Sequence, residues 1–490
     1  MVRAAGLLAA AAAAIGAGGW SATPAHAQAG DLCLAADAPP IDAPPHRLRF
    51  GTTPLAAGSI LPTTLVPEDP AAGLAAVQRL RPGRRQLIMR LNRMFMADGE
   101  AGIQRFAAIV DRYAAAGIDS ELQVRYHPGP GQEGDMAAWK HFVRRAASIL
   151  GKRPSVKALT ITNEGNFTAT PNTSDGSYAG VRQAIVTGMV AARHQLDRLG
   201  RADVELGFSF AWRWFPDSDA AFWQELGVIG NPAFRRAVDY VGLQIYPHLV
   251  VPPAPRPGRS AGDEVIEALT LLRNCYMPKA GLGPDVELWV TENGYVTNLT
   301  GTEASQDAAL ATTLEAVHRY SATLGITDYR WFNLRDNNTT GPDLFDAVGL
   351  LRDDYSEKPA FARFRSAIDQ LGTDRPPRLR CRGRVATLIG TPNPDRIRGS
   401  IGPDVIATRG GRDKIVSAGG DDLVCAGKGG DSVRAGRGAD TVLGQKGRDR
   451  VRGGPGPDLL IGATGRDRLA GGLGRDRCRG GQGRDASPSC

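Results

Sequence analysis

This 490-residue chain lacks several patterns that would settle its class at once. No two of its six cysteines stand in C-x-x-C spacing, so cysteine-held metal is the weaker use for them. After the N-terminal segment, no stretch is long and apolar enough to cross a hydrocarbon core of about 30 Å. No G-x-G-x-x-G follows the first strand-like run, Arg47–Gly51, which argues against a doubly wound open sheet. From Gly390 onward there is no glutamate. In that stretch 18 Arg and Lys face 12 Asp, so about +6 of the chain's net +8 sits there. No nucleic-acid motif accompanies the charge. A solvated basic face is the plainer reading of these arginines, and contact with an anionic cell-wall polymer or polysaccharide the sharper one.

The ends and the cysteines point outside the cell. Met1-Val2-Arg3 is a short basic start, Ala4 to Gly16 is apolar, and Ala25-His26-Ala27 offers a small-x-small cleavage pattern. Residues 1–27 therefore read as a secretory signal peptide, and the protein as secreted, extracellular. Six cysteines remain after cleavage, and six allow fifteen connectivities. Among these, Cys381 and Cys425 could staple the start of the C-terminal region and Cys478 and Cys490 could close its end. Cys33 and Cys275 would then tie the mature N-terminus to the middle of the chain.

Eleven aspartates stand nine residues apart from Asp395 to Asp485, and ten of them have glycine two positions earlier. Ile or Val follows two positions after at Ile397, Ile406, Ile415, Val424, Val433, Val442 and Val451, then Leu460, Leu469 and Cys478. A period held that strictly belongs to a solenoid, and it resembles the RTX (hemolysin-type) calcium-binding nonapeptide G-G-x-G-x-D-x-U-x. The resemblance implies a parallel β-roll whose Asp carboxylates and turn carbonyls hold Ca²⁺, a hard cation that takes oxygen ligands. It names Asp404, Asp413, Asp422, Asp431, Asp440, Asp449, Asp458, Asp467 and Asp476 as metal ligands. A solenoid that keeps the repeat shape without calcium is the alternative, since Arg412 and Arg448 stand directly beside Asp413 and Asp449.

Between Asp31 and Gln370 the pattern changes to alternating strands and helices. Strands are expected at Arg47–Gly51, Gln86–Asn92, Leu122–His127, Val156–Asn163, Val204–Trp212, Val238–Tyr246, Val286–Glu292 and Asp328–Leu334. Between them, Ile103, Phe106, Val110 and Tyr113 recur at helical spacing, as do Trp139, Phe142, Val143, Ala146 and Ile149. Helices ending at Leu199 and Leu324 meet Gly200 and Gly325, residues suited to a left-handed C-terminal position. Eight strands each followed by a helix argue for an α/β fold, a (β/α)₈ TIM barrel, with its chemistry at the C-terminal ends of the strands. The expected organisation is signal peptide 1–27, barrel 31–370, linker 371–389 and repeats 390–490.

Two of those strand ends carry carboxylates: Thr162-Asn163-Glu164-Gly165 on the fourth and Thr291-Glu292-Asn293-Gly294 on the seventh. Paired carboxylates across a barrel mouth are what glycoside hydrolysis needs, one protonated and one ionised. With these placements the region from about 47 to 366 resembles the clan A glycoside hydrolases, similar to family 5, which are retaining (β/α)₈ enzymes. The resemblance implies Glu164 as acid/base, Glu292 as nucleophile and Asn163 as a donor to the sugar 2-hydroxyl. It implies Tyr246 and Arg90 beside the nucleophile, Arg90 favouring the charged carboxylate, with Arg93 or neither as the alternative. It implies Trp331 as the aromatic floor of the sugar site and His127 at the end of the third strand. Trp212 and Trp214 alternate with Arg213 at the end of the fifth strand, lining subsites or packing the core. Gly165 departs from the pattern, since many family 5 enzymes have proline there. The partners implied are a carbohydrate substrate and the anionic polymer above, with no nucleic acid, no membrane span, a monomeric chain and no cofactor for catalysis. The rival to a retaining glycosidase is a silent calcium-binding matrix protein whose barrel only binds glycan.

Overall fold

All eight strand-like runs form strands, and these close into one parallel barrel. The structure is a computed structural model and describes residues 33, 36–54, 65–168, 173–212, 215–247, 258–298, 301–373, 379–382, 384–391 and 393–490. The expected signal peptide and Trp214 lie outside the described residues. The barrel strands are β1 (Arg49–Thr52), β2 (Ile88–Phe95), β3 (Asp119–Arg125), β4 (Val156–Ile161), β5 (Glu205–Ala211), β6 (Tyr240–Ile245), β7 (Glu287–Asn293) and β8 (Ile326–Trp331). They pair in sequence order, and β8 returns to β1 with Arg49 opposite Asp328 and Thr52 opposite Trp331. Among the described residues, no helix is long and apolar enough to cross a membrane.

Eight main helices follow the strands: α1 (Pro70–Leu80), α2 (Gly99–Ala115), α3 (Met136–Leu150), α4 (Val181–Arg198), α5 (Pro216–Ile229), α6 (Ala261–Leu271), α7 (Glu303–Arg319) and α8 (Pro359–Leu371). Local chemistry sets their ends. Asp69 and Asp135 accept the first free N–H groups of α1 and α3, and Ser260 with Asp263 forms a capping box on α6. The periodic residues of α2, from Ile103 to Tyr113, are buried as their spacing predicts. On α3, Leu150 is buried where Ile149 was expected, and Ile149 is half-buried. Gly200 and Gly325 take φ of 67° and 68°, while Gly151 stays right-handed at −62°.

The chain divides into two compact units, residues 1–193 with 206–375 and residues 194–205 with 376–490. In the second unit each coil takes two nonapeptides, so strands pair with partners 18 residues away: Ile397 opposite Ile415 opposite Val433, and Ile406 opposite Val424 opposite Val442. Two six-stranded parallel sheets result. The residues two places after each Asp point between them, and Ile406, Ile415, Val424, Val433, Val442, Val451, Leu460 and Leu469 form one buried core. Each such aliphatic contributes about 1.5–3 kcal/mol. Part of the expected linker carries structure: Arg380–Cys381 and Arg384–Val385 pair antiparallel, and Leu388–Ile389 opens one sheet. Leu379, Cys381 and Ala386 pack on Val405, Ala407, Leu423 and Cys425, covering apolar side chains that the first coils leave outward.

Three disulfides form: Cys33–Cys275, Cys381–Cys425 and Cys478–Cys490, with Cα separations of 5.9, 5.5 and 5.8 Å. The pairings match those expected. Cys381–Cys425 closes a span of 44 residues. Replacing both cysteines by serine is expected to lower the stability of the repeat unit by about 4 kcal/mol on the chain-entropy model. A thermal melt of the full chain reads the shift in that unit's transition.

Candidate active site and repeat metal sites

Strand alternation decides which side chains enter the barrel. Arg90 on β2, Glu121 on β3, Gln244 on β6, Glu292 on β7 and Arg330 on β8 all turn inward and meet one another. Glu292 Oε1 accepts from Arg90 Nη1 at 2.6 Å and from Gln244 Nε2 at 3.0 Å, and Oε2 accepts from the Tyr246 hydroxyl at 2.8 Å. Gln244 also donates to Asn163 Oδ1 at 2.8 Å, so one amide joins the ends of β4 and β7. Gly294 permits this crowding, because a Cβ there would stand 2.9 Å from the Tyr246 ring and 2.7 Å from the Phe332 carbonyl.

Charges of alternating sign extend from this point down the barrel. Arg90 reaches Glu121 at 3.3 Å, Glu121 takes Arg330 at 3.1 Å, Arg330 takes Asp328 at 2.7 Å, and Asp328 takes Arg49 at 2.8 Å. Burial opposes the charge on Arg90, yet Glu292 and Glu121 overcome it and hold the guanidinium above its ordinary range. Burial likewise pushes Asp328 up, and Arg49 and Arg330 outweigh it, leaving the carboxyl below its usual range. Removing one member leaves its neighbours charged in a dry interior. Arg90→Met is therefore expected to cost about 3–5 kcal/mol, and a denaturant titration against the parent measures it.

The end of β4 is strained and over-determined. Thr162 and Glu164 have φ of 68° and 48°, on either side of Asn163. Side-chain residues pay about 1–3 kcal/mol each for such conformations, which gather at functional sites. Fully buried Asp175 fixes the turn: Oδ2 accepts the Asn163 N–H at 2.8 Å and the Tyr126 N–H at 3.0 Å, while Oδ1 takes Arg125 through two bonds of 2.9 and 2.7 Å. The Glu164 N–H donates to Ser209 Oγ on β5 at 3.1 Å, and Glu164 is 4% exposed. Gly165 follows where Ile185 leaves little room, since a Cβ there would stand 2.9 Å from Ile185 Cδ1.

The structure thus gathers Arg90, Asn163, Tyr246 and Glu292, with Glu164 adjoining Asn163. Arg93 is not the cation at Glu292; burial first, then Arg125, lowers it to about 10. Asn163 Nδ2 donates to the Thr173 carbonyl at 2.6 Å. His127 lies half-buried between Phe95 and Tyr178, whose hydroxyl approaches its ring at 2.9 Å, and burial, then Arg125, lowers its pKa. Trp212 is buried directly after β5, its N–H donating to the Gln244 carbonyl.

Trp331 is not brought to this group. It adjoins inward-facing Arg330 in β8, so it shares the outer face with Tyr329, which packs on Phe364 of α8. Its Nε1 donates to the Val348 carbonyl at 3.1 Å. The next residue, Phe332, meets Tyr246 edge-on at 5.8 Å between ring centres. Gln244, Asp175, Arg125 and Glu121 were not singled out from sequence. A polar residue in an otherwise apolar barrel strand was the available signal for Gln244, whereas Glu121 stands among other polar residues in Asp119–Arg125 and offered none.

The repeat aspartates form a second constellation. From Asp413 to Asp485 each repeat Asp Oδ1 accepts the backbone N–H of the Asp one coil earlier, as in Asp413 N–H to Asp431 at 2.9 Å and Asp440 N–H to Asp458 at 3.0 Å. That bond alone gives the aspartates a structural use. Yet among the described residues Oδ2 of Asp413, Asp422, Asp431, Asp440, Asp449, Asp458 and Asp467 is buried with no hydrogen-bond partner. Asp404 differs, its Oδ2 taking the Ser400 N–H at 2.6 Å, and Asp476 shows no such buried orphan. Glycines clear space for these oxygens: a Cβ at Gly453 would stand 2.0 Å from Asp458 Oδ2 and 2.6 Å from the Gly471 carbonyl. Burial pushes Asp422, Asp431 and Asp440 up to about 6 and Asp449 up to about 7. Arg412 and Arg448 stay exposed beside their buried aspartates. Orphaned carboxylate oxygens beside carbonyls fit a hard divalent cation.

Comparison with known proteins gives a family match in the C-terminal repeats. The model of the RTX calcium-binding nonapeptide repeat matches residues 389–424, 426–460 and 452–486. No curated protein matches the chain. Among solved structures, the chain is similar to GH5_18 from Streptomyces cattleya in complex with GlcNAc, at 15% identity over 72% of this chain and 85% of that one, TM-score 0.46. It is similar to the AHE enzyme from Alicyclobacillus herbarius at 15% identity over 66% and 97%, TM-score 0.47. A family 39 glycoside hydrolase from Bacteroides cellulosilyticus shares 15% identity over 67% and 64%, TM-score 0.46.

Proposed function

We propose that the protein is a secreted retaining glycosidase acting on a poly- or oligosaccharide, with calcium held in its C-terminal repeats. The observation that carries this reading is Glu292, a carboxylate at the C-terminal end of a barrel strand whose two oxygens are held by Arg90, Gln244 and Tyr246. A buried carboxylate so held keeps a fixed direction, as a nucleophile requires. Glu292 attacks the anomeric carbon while Glu164 gives its proton to the leaving oxygen. Glu164 then takes a proton from water, which releases the sugar from Glu292 with net retention. Strain at Thr162 and Glu164 supports a catalytic use of the β4 end. Phe332, beside Tyr246, takes the part of aromatic floor that Trp331 was expected to play. In the repeats, the orphaned Oδ2 atoms and neighbouring carbonyls would hold calcium, whose charge would offset that of the buried carboxylates.

A panel of aryl glycosides tests the reading. Release of aryl alcohol from at least one of them, abolished in Glu292→Ala, is the expected result. No turnover on any member, together with binding of the same sugars, would favour the silent glycan-binding protein instead.

A further inference from the structure

The coil period of 18 residues sorts the cations at outward strand positions mainly onto one sheet, while nine of the 18 Arg and Lys from Gly390 onward lie elsewhere in the repeats. Positions one and three residues after each Asp face outward. In the sheet running from Arg396–Arg398 through Lys414–Gly419, Ser432–Arg437, Arg450–Pro455 and Arg468–Leu473, those positions hold Arg396, Arg398, Lys414, Arg434, Arg450, Arg452 and Arg468. All seven are exposed, and no Asp or Glu stands at an outward position of that sheet. In the other sheet the same positions hold mainly Val405, Ala407, Leu423, Cys425, Leu443, Leu459 and Ile461, and cations appear there only at Arg477 and Arg479 in the last coil.

The cations are also set directly against one another. Arg396 stands opposite Lys414, Arg434 opposite Arg452, and Arg450 opposite Arg468 in adjacent strands. Neighbouring strands run about 4.8 Å apart, and like charges at that distance destabilise a sheet. Among the described residues none of the seven is ion-paired, so no described carboxylate relieves the repulsion by pairing. A solvated face alone gains nothing from such rows. From Gly390 to Cys490 there is no Phe, Tyr or Trp, which leaves no ring to stack on a base or on the apolar face of a neutral sugar. At those outward positions Val416 is the one large apolar side chain, and Leu473 at the end of the last of these strands adds one more, too little for insertion into a lipid surface.

We propose that this sheet face is a docking surface for a linear acidic polysaccharide. Guanidinium groups donate paired hydrogen bonds to carboxylate or sulfate oxygens, and a chain laid across the strands meets a cation at most coils. The inference rests on the repeat unit alone and stands whether or not the barrel is catalytic.

Binding of the full chain to immobilised chondroitin sulfate, in calcium buffer at several salt concentrations, tests it. The parent is expected to bind, with log affinity falling linearly as log salt rises. The variant R434S/R450S/R452S is expected to bind about tenfold more weakly or worse, while R477S/R479S, on the other sheet, stays within about twofold. A repeat-unit melting transition unchanged in both variants excludes misfolding as the cause. No binding by the parent, equal losses in the two variants, or equal binding to neutral dextran would overturn the proposal. Tighter binding to duplex DNA or to anionic vesicles than to the polysaccharide would overturn its occupant.

Discussion

Replacing Glu292 by alanine is expected to lower kcat by about 10⁴-fold or more. The carboxylate has no substitute within reach: Arg90, Gln244 and Tyr246 converge on it, and all three donate. Alanine also leaves Arg90 with Glu121 as its remaining carboxylate, so some loss of stability accompanies the loss of rate. Glu292→Gln separates the two, because the amide keeps the volume and an acceptor for Arg90 but cannot form the glycosyl ester. The two variants should be equally inactive, with the glutamine protein melting closer to the parent. Added azide should restore turnover in the alanine variant through the vacated space, giving a glycosyl azide of inverted configuration. Glu164→Ala should lose about 10²–10⁴-fold, the usual contribution of general acid–base help, and less with aryl leaving groups that depart without a proton. Full activity in Glu292→Ala would contradict the mechanism outright.

Removing calcium is expected to lower the melting transition of the repeat unit by about 10–20 °C. One ion at a hundred times its dissociation constant adds about 2.7 kcal/mol, and a unit of this size moves about 4–8 °C per kcal/mol. The pH dependence in chelator carries a definite sign. Burial raises Asp422, Asp431 and Asp440 to about 6 and Asp449 to about 7. Their unfolded counterparts release protons near 4. Between those values the folded unit holds more protons than the unfolded chain, so its stability falls as pH rises from about 4 to about 7. In chelator the unit should melt higher at pH 5 than at pH 8. Calcium, which binds the ionised carboxylates, should remove or reverse that order. Melting that ignores chelator at both pH values would mean that the Asp Oδ1 ladder is the whole purpose of the repeat.

The barrel was legible because a closed parallel sheet buries both faces of its strands, and such strands read as short apolar runs between amphipathic helices. All eight runs became strands, with ends displaced by at most three residues. The nine-residue Asp period specified a solenoid because every coil meets only its neighbours. Cysteine partners followed from where the array begins and ends. Side-chain direction was the weakest point. Trp331 read as a sugar platform from its motif, yet the strand places Arg330 inward and Trp331 on the helix side. Contacts between distant segments were out of reach as well. Asp175 holds the β4 end from a loop 12 residues downstream, and Arg330 meets Glu121 across 209 positions. The division of cations between two sheets needed the 18-residue coil, which a nine-residue repeat hides. Leu379 and Ala386 looked like linker because they face a neighbouring coil rather than one another.

Trapping of the glycosyl-enzyme tests the central claim most directly. The protein would be incubated with an activated 2-deoxy-2-fluoro glycoside matched to its best aryl substrate, then weighed intact and as peptides. The account predicts a stoichiometric mass gain of one fluoroglycosyl unit, on the peptide carrying Glu292, and none in Glu292→Gln. A label on another carboxylate, or steady turnover with inverted product and no adduct, would contradict it.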